Sequence, residues 1–109
     1  MAAESLTIEQ LRDSLVPVFR RYSILRAILF GSRARGEASR RSDADLILVQ
    51  CTSKRFLDRY DGILRDLNLA LPETAVEALI YTPQEFEQMR SRQFLARALR
   101  EGVVLYESD

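Results

Sequence analysis

Histidine is absent from the 109-residue sequence, and cysteine occurs only once, at Cys51. The lack of histidine excludes His-based general bases, Ser-His-Asp triads and most zinc sites. A single cysteine excludes an internal disulfide framework and a thiolate zinc cluster. Any bound metal ion must therefore be held by oxygen ligands, which favours Mg²⁺ or Mn²⁺.

Net charge is also lacking, because 16 basic residues balance 16 acidic residues. This balance argues against binding of nucleic acid through bulk charge, so a nucleic-acid partner is not expected. No apolar run approaches the ~20 residues that span a bilayer, and Glu4 and Glu9 lie where a signal peptide would be basic and then apolar. We expect a cytoplasmic protein without membrane contact, folded as a single domain over residues 1–109.

Apolar periodicity divides the chain into helices that alternate with short apolar strands. Thr7 and Gln10 fit the capping box of a first helix, which Pro17 should kink or divide. Thr82 begins a last helix, which Gly102 ends. Strands are expected at residues 24–30, 45–51, 75–81 and 103–107. This order predicts an α/β (α+β) fold with a single mixed sheet of three to four strands, flanked by helices.

The same periodicity predicts the orientation of single side chains. One continuous helix after Thr52 would turn Phe56 and Leu57 toward the core, and the last helix would turn Phe94 inward. Cys51 is expected to be buried in the second strand.

The stretch "FGSRARGEA" contains a turn between the first strand and a short helix over residues 32–35. Gly31 has no Cβ, so the backbone here can approach a bulky anion such as a nucleotide phosphate. The Ser32 hydroxyl and the first helical N–H groups would face that anion. The alternative is a simple strand-to-helix turn. A P-loop is excluded, because Glu37 and Ala38 occupy the positions of its lysine and its serine or threonine.

Asp43 and Asp45 flank Ala44 at the start of the second strand. Residues two apart in a strand point to the same face, so the two carboxylates can share one divalent cation or hold two. The alternative is that Asp43 belongs to a turn and Asp45 merely begins the strand. If the first two strands are antiparallel, the Gly-Ser turn and the two aspartates meet at one end of the sheet.

These residues also follow a known pattern. Gly31-Ser32, then Gly36, then Ser42-Asp43-Ala44-Asp45-Leu46 resembles the signature of the polymerase-β-like nucleotidyltransferase superfamily. The short chain, with "LFGSRARGEA" and "YTPQEFE", resembles the minimal nucleotidyltransferases, or MNT domains. The resemblance implies the nucleotidyltransferase fold.

The resemblance implies roles for individual residues. Gly31 and Ser32 would bind the triphosphate of ATP, together with Ser42 of the motif. Asp43 and Asp45 would hold two Mg²⁺ ions. By position the third carboxylate of the family, which assists the metal and activates the attacking hydroxyl, is Glu77, where family members proficient in catalysis usually carry Asp. From the residues alone, Glu77 is equally well an exposed residue of an edge strand.

Four arginines accompany the motif, at positions 33, 35, 40 and 41. Arg33 and Arg35 lie inside it and are predicted to contact the nucleotide. Arg40 and Arg41 lie further out and suit an acidic partner surface. For each of them, a solvated loop position is the alternative.

The resemblance also implies a partner. MNT proteins are commonly encoded beside a helical HEPN protein, with which they form a toxin–antitoxin pair. As antitoxin, the MNT protein transfers AMP from ATP to a tyrosine of the HEPN ribonuclease. The alternative is a weak or inactive binding module that neutralises the HEPN partner by complex formation. A homo-oligomer stays open as well, since the predicted last strand offers a sheet edge for pairing.

A third class, the phospho-receiver signalling domain, also uses acidic residues near strand ends. It needs a lysine opposite the phosphate acceptor, and the only lysine of the sequence, Lys54, falls at the start of a predicted helix. This class is therefore disfavoured.

Overall fold

The computed structural model describes residues 6–36 and 43–108, which form four strands, four α-helices and one 3₁₀ helix. The α-helices are α1 (Ile8–Arg21), α2 (Ile63–Ala70), α3 (Pro83–Met89) and α4 (Gln93–Glu101). The strands are β1 (Ile24–Phe30), β2 (Ala44–Gln50), β3 (Val76–Tyr81) and β4 (Val103–Glu107), and the 3₁₀ helix is Phe56–Tyr60.

The four strands form one mixed sheet in the order β3-β2-β1-β4. β1 pairs antiparallel with both β2 and β4, and β2 pairs parallel with β3. The predicted sheet is confirmed, and each predicted strand falls within one residue of its observed bounds. The antiparallel pairing of β1 with β2 brings the end of the first strand beside the start of the second, as the site hypothesis required.

Helices cover both faces of the sheet, and each face carries a core of its own. Leu46 and Leu48 of β2 belong to the core that α1 and α2 cover, together with the fully buried Phe19. Ile47 of β2 and Ile28 of β1 belong to the core that α3 and α4 cover. Because side chains alternate along a strand, Asp45 points to the α3–α4 face.

Helix α1 begins with the predicted capping box: Gln10 N–H donates to Thr7 Oγ1, and Thr7 N–H donates to Gln10 Oε1. The helix continues through Pro17 and is not divided there. Proline removes only one helical hydrogen bond, and the apolar face that buries Leu15 and Phe19 holds the helix together on both sides of it.

The single helix predicted after β2 is wrong. The structure has the 3₁₀ helix and α2 instead, separated at Gly62, whose φ is +81°. A Cβ at Gly62 would lie 2.9 Å from the Tyr22 hydroxyl, so only glycine fits this turn. Because the turn changes the phase of the apolar pattern, Phe56 and Leu57 do not point toward the core as predicted. They are 40% and 81% exposed.

The predicted C-terminal helix is also divided, between α3 and α4. After this break Leu95 faces the core, and Phe94, predicted to pack inward, is 53% exposed. Cys51 follows the end of β2 and is exposed, contrary to the prediction. Among the helices that the structure describes, none has the length and apolar character needed to cross a membrane.

Candidate active site

Three strands contribute one residue each to a row across the sheet. Glu77 of β3 lies opposite Asp45 of β2, and Asp45 lies opposite Phe30 of β1. These register partners share the α3–α4 face of the sheet. The row lies where β1 ends and where β2 and β3 begin, so the Gly-Ser turn and both predicted aspartates reach the same end of the sheet.

Gly31 lies directly against Asp45. Its φ is +80°, a left-handed conformation, and a Cβ at this position would lie 2.8 Å from Asp45 Oδ2. The backbone and the carboxylate therefore meet at a distance that only glycine allows. The predicted short helix is a single turn, in which the Ala34 and Arg35 N–H groups donate to the Gly31 carbonyl.

Negative charge accumulates around Asp45. Burial, the nearby charges of Glu77 and Asp43, and a side-chain hydrogen bond with Glu77 together raise the pKa of Asp45, burial contributing most. The fold thus holds acidic side chains close enough to repel one another, an arrangement that a bound cation would relieve.

The chemistry of these side chains suits a hard cation, because carboxylate oxygens are the ligands that Mg²⁺ prefers. Asp45 is half-buried, whereas Asp43 and Glu77 are exposed. Within residues 6–36 and 43–108, no three acidic, cysteine or histidine side chains already stand as a metal-binding group. The described carboxylates are therefore suitable metal ligands by their chemistry, but they are not arranged in the geometry of a complete metal-binding site.

The predicted nucleotide-binding residues fall in different environments. Ser32 follows Gly31 in the turn and is half-buried. Arg33 is buried, with 5% of its surface exposed. Arg35 lies at the surface, where its Nη1 is 3.5 Å from Glu101 Oε2 of α4. Ser42, Arg40 and Arg41 lie outside the described residues.

A cavity of about 240 Å³ opens beside Gly31, between the end of β1 and α4. Its walls include Phe94 and Arg97 of α4, neither of which the sequence indicated as a site residue. The orientation of both side chains depends on the helix break after α3. The sequence marks this break only weakly, because residues 90–92 are polar but contain no glycine or proline. The remaining lining residues are Phe30, Gly31, Arg35, Ala98 and Glu101.

Comparison with known proteins shows the family of the chain. Residues 13–109 match the family model described as Polymerase beta, Nucleotidyltransferase. No curated protein matches the sequence significantly.

Several solved structures share the fold. One is a chain of a toxin–antitoxin complex crystallised with AMP-PNP, with 20% identity and a TM-score of 0.65 over 90% of this chain and 74% of that chain. A second is from a complex of tri-AMPylated Shewanella oneidensis HEPN toxin with MNT antitoxin, with 15% identity and a TM-score of 0.60 over 94% of this chain and 74% of that one. A third is a putative nucleotidyltransferase from Sulfolobus solfataricus, with 19% identity and a TM-score of 0.57 over 92% and 80% of the two chains.

Proposed function

Because the chain belongs to the polymerase β nucleotidyltransferase family, we propose that it is a Mg²⁺-dependent enzyme that transfers AMP from ATP to a tyrosine hydroxyl of a HEPN partner protein. By this modification it acts as an antitoxin in the cytoplasm. The observation that carries the proposal is the close contact of the Gly31 turn with Asp45. A Cβ at Gly31 would lie only 2.8 Å from Asp45 Oδ2. This contact unites a turn suited to phosphates with a carboxylate suited to a metal ion.

In the proposed reaction, the acceptor hydroxyl oxygen attacks the α-phosphorus of ATP. The bond between this phosphorus and the bridging oxygen breaks, and pyrophosphate leaves. Glu77 accepts the hydroxyl proton, because it lies beside Asp45 at the exposed edge of the row, where an acceptor can enter. Gly31 and Ser32 orient the triphosphate through backbone N–H groups and the serine hydroxyl.

Asp43, Asp45 and Glu77 are the residues that would hold Mg²⁺, with two ions as in the family expectation. When bound, the metal supplies positive charge that stabilises the attacking and leaving oxygens. The raised pKa of Asp45 supports this assignment, since a cation favours the ionised form that its neighbours disfavour. ATP is the proposed donor, and an AMP-PNP-bound neighbour of the same fold supports a nucleoside triphosphate.

The HEPN partner is proposed from the neighbours of this fold, one of which is a complex of AMPylated HEPN toxin with MNT antitoxin. A second candidate function is neutralisation of that partner by binding alone. Two observations favour it: Glu77 replaces the usual third aspartate, and the described carboxylates are not preassembled as a metal group.

The test is to incubate the protein with radiolabelled ATP, Mg²⁺ and the proposed HEPN partner, and to follow label on the HEPN protein. Transfer by the wild type that disappears in Asp43→Asn and Asp45→Asn supports the enzyme. Calorimetry with MgATP complements this assay. A stable complex without label, together with no binding of ATP at millimolar concentration, would leave the binding module as the function.

A further inference from the structure

The row Glu77–Asp45–Phe30 gives the proposed site two different sides. On the β3 side of Asp45 lies the exposed carboxylate Glu77. On the β1 side lies Phe30, which lines the cavity beneath α4. An acceptor hydroxyl that Glu77 activates must approach from the β3 side. The remainder of the donor nucleotide is therefore directed to the β1 side, toward the cavity.

One wall of this cavity is aromatic. Phe94 packs edge-to-face on Phe30, with ring centroids 5.7 Å apart and an interplanar angle of 87°. Phe94 is apolar, yet 53% of its surface is exposed to solvent. An aromatic ring fixed at its edge by a second ring and open to solvent is a surface on which a nucleobase can stack.

A charged cluster lines the same cavity. Glu101 accepts hydrogen bonds from Arg97 Nε at 3.3 Å and from Arg35 Nη1 at 3.5 Å, so it holds both guanidinium groups at the cavity wall. Guanidinium groups stack on bases and donate hydrogen bonds to their ring nitrogens and carbonyls. The volume of about 240 Å³ lies below the ~300 Å³ at which pockets for drug-sized molecules begin, so the cavity suits one ring system and not a whole nucleotide.

We propose that the cavity between Phe94 and the Arg35–Glu101–Arg97 cluster binds the purine base of the donor nucleotide whose triphosphate lies on the Gly31–Ser32 turn. Gly31 lines the cavity and contacts Asp45, so base and phosphates occupy adjoining subsites. This inference rests on the proposed function and adds the base-recognition residues to it. Phe94 and Arg97 are binding residues, and Glu101 positions the two arginines.

The sequence permits a direct optical test, because it contains no tryptophan. In Phe94→Trp, the single indole should be quenched by MgATP and unaffected by magnesium tripolyphosphate, which offers phosphates without a base. Phe56→Trp is the matched control, because Phe56 is also a partly exposed phenylalanine, at 40%, and lies in the 3₁₀ helix beside the other end of β3. Its fluorescence should respond to neither compound.

Calorimetry on Phe94→Ala provides the second measurement. Loss of the stacking ring should weaken the binding of MgATP by about 5- to 100-fold and leave the Kd of magnesium tripolyphosphate unchanged. If Phe94→Ala binds MgATP as tightly as the wild type, the base site is refuted while the transfer reaction stands. If the wild type binds neither MgATP nor tripolyphosphate, the base site and the proposed reaction both fail.

Discussion

The two ends of β3 shift the pKa of their carboxylates in opposite directions. At its start, which we call the acidic end, Asp43, Asp45 and Glu77 lie together, and the pKa of Asp45 is raised. Beyond its last residue, at what we call the paired end, Glu85 accepts hydrogen bonds from Arg59 at 2.6 and 3.1 Å, and its pKa is lowered to about 2. The same chemical group is thus destabilised in its charged form at one end and stabilised at the other.

At the paired end, the charged groups of Arg59 and Glu85 make several further hydrogen bonds within the chain. The buried Arg59 also donates to the backbone carbonyls of Lys54 and Ile80, and Glu85 accepts the Thr82 N–H in the capping box of α3. These hydrogen bonds join the 3₁₀ helix, β3 and α3. The buried guanidinium of Arg59 is thus satisfied within the chain, as a structural ion pair requires.

At the acidic end, the described charges that act on Asp45 are those of Glu77 and Asp43, and both are negative. A fold tolerates such repulsion where a ligand relieves it. The comparison therefore separates the two ends by role: substitutions at the acidic end should change catalysis, and substitutions at the paired end should change stability.

The largest effect is expected for Asp45→Asn. Transfer of AMP should fall by about 10³-fold, roughly 4 kcal/mol of transition-state stabilisation, because the carboxylate proposed to bind Mg²⁺ is lost. The melting temperature should stay constant or rise, since repulsion from Glu77 and Asp43 is removed. Initial rates with labelled ATP and thermal unfolding measure the two quantities. Loss of activity accompanied by a lower melting temperature would break the separation of roles.

Arg59→Ala should show the reverse behaviour. Removing one partner of a buried ion pair leaves Glu85 without its cation, and because Glu85 is 38% exposed we expect a loss of about 2–3 kcal/mol of unfolding free energy rather than the larger value for a fully buried pair. Urea unfolding measures this loss. Glu85→Gln is the matched variant, because it keeps an acceptor for Thr82 N–H and should be less destabilising. A change below about 0.5 kcal/mol in Arg59→Ala would contradict the structural role of the paired end.

Glu77 sharpens the comparison within the acidic end. Glu77→Gln should slow transfer by about 10- to 100-fold, because the amide cannot accept the hydroxyl proton. Glu77→Asp, which introduces the residue that the family resemblance leads us to expect here, should retain transfer within about tenfold, the range expected from a small displacement of the carboxylate. Glu77→Asp should unfold like the wild type, since Glu77 is exposed, and Glu77→Gln should be as stable or slightly more stable, since it removes the repulsion with Asp45. Equal rates in the wild type and Glu77→Gln would remove Glu77 from the reaction.

The strands, the two capping boxes and the turn at Gly31 were predictable because each depends on local sequence. Thr7 and Thr82 carry their cap partners three residues on, and both capping boxes are present in the structure. The mixed sheet followed from the order of elements. The parallel register that places Glu77 opposite Asp45 is set by long-range pairing, and only the family resemblance indicated Glu77 for this position.

The helix breaks were not predicted, for two different reasons. Asp61-Gly62 is a common turn dipeptide, and apolar periodicity across it obscured that signal. The break at residues 90–92 has no glycine or proline, so tertiary packing of Leu95 decides it. A continuous helix would place Phe94 on the same face as Phe86, and the break instead turns Phe94 to the cavity.

The smallest expected effect is the pH dependence of stability, in which the two ends should respond with opposite sign. Glu85 has a pKa lowered from 4.5 to about 2, so its contribution to stability is present above about pH 4.5 and is lost as the pH falls toward 2. Asp45 has a raised pKa, so its protonated form favours the folded state, and this contribution is lost as the pH rises through the folded pKa.

Urea unfolding at about pH 7 and about pH 3 tests both signs. Glu85→Gln should be less stable than the wild type at the higher pH. This difference should shrink at the lower pH, because there the Glu85 carboxyl, with its ordinary pKa of 4.5, is protonated in the unfolded wild type while it stays mainly ionised in the folded protein. Asp45→Asn should gain most over the wild type at the higher pH, where Asp45 is ionised and repelled by Glu77. If the unfolding free energies of both variants, relative to the wild type, changed with pH in the same direction, the charges around the carboxylates at the two ends of β3 would not differ in their effect.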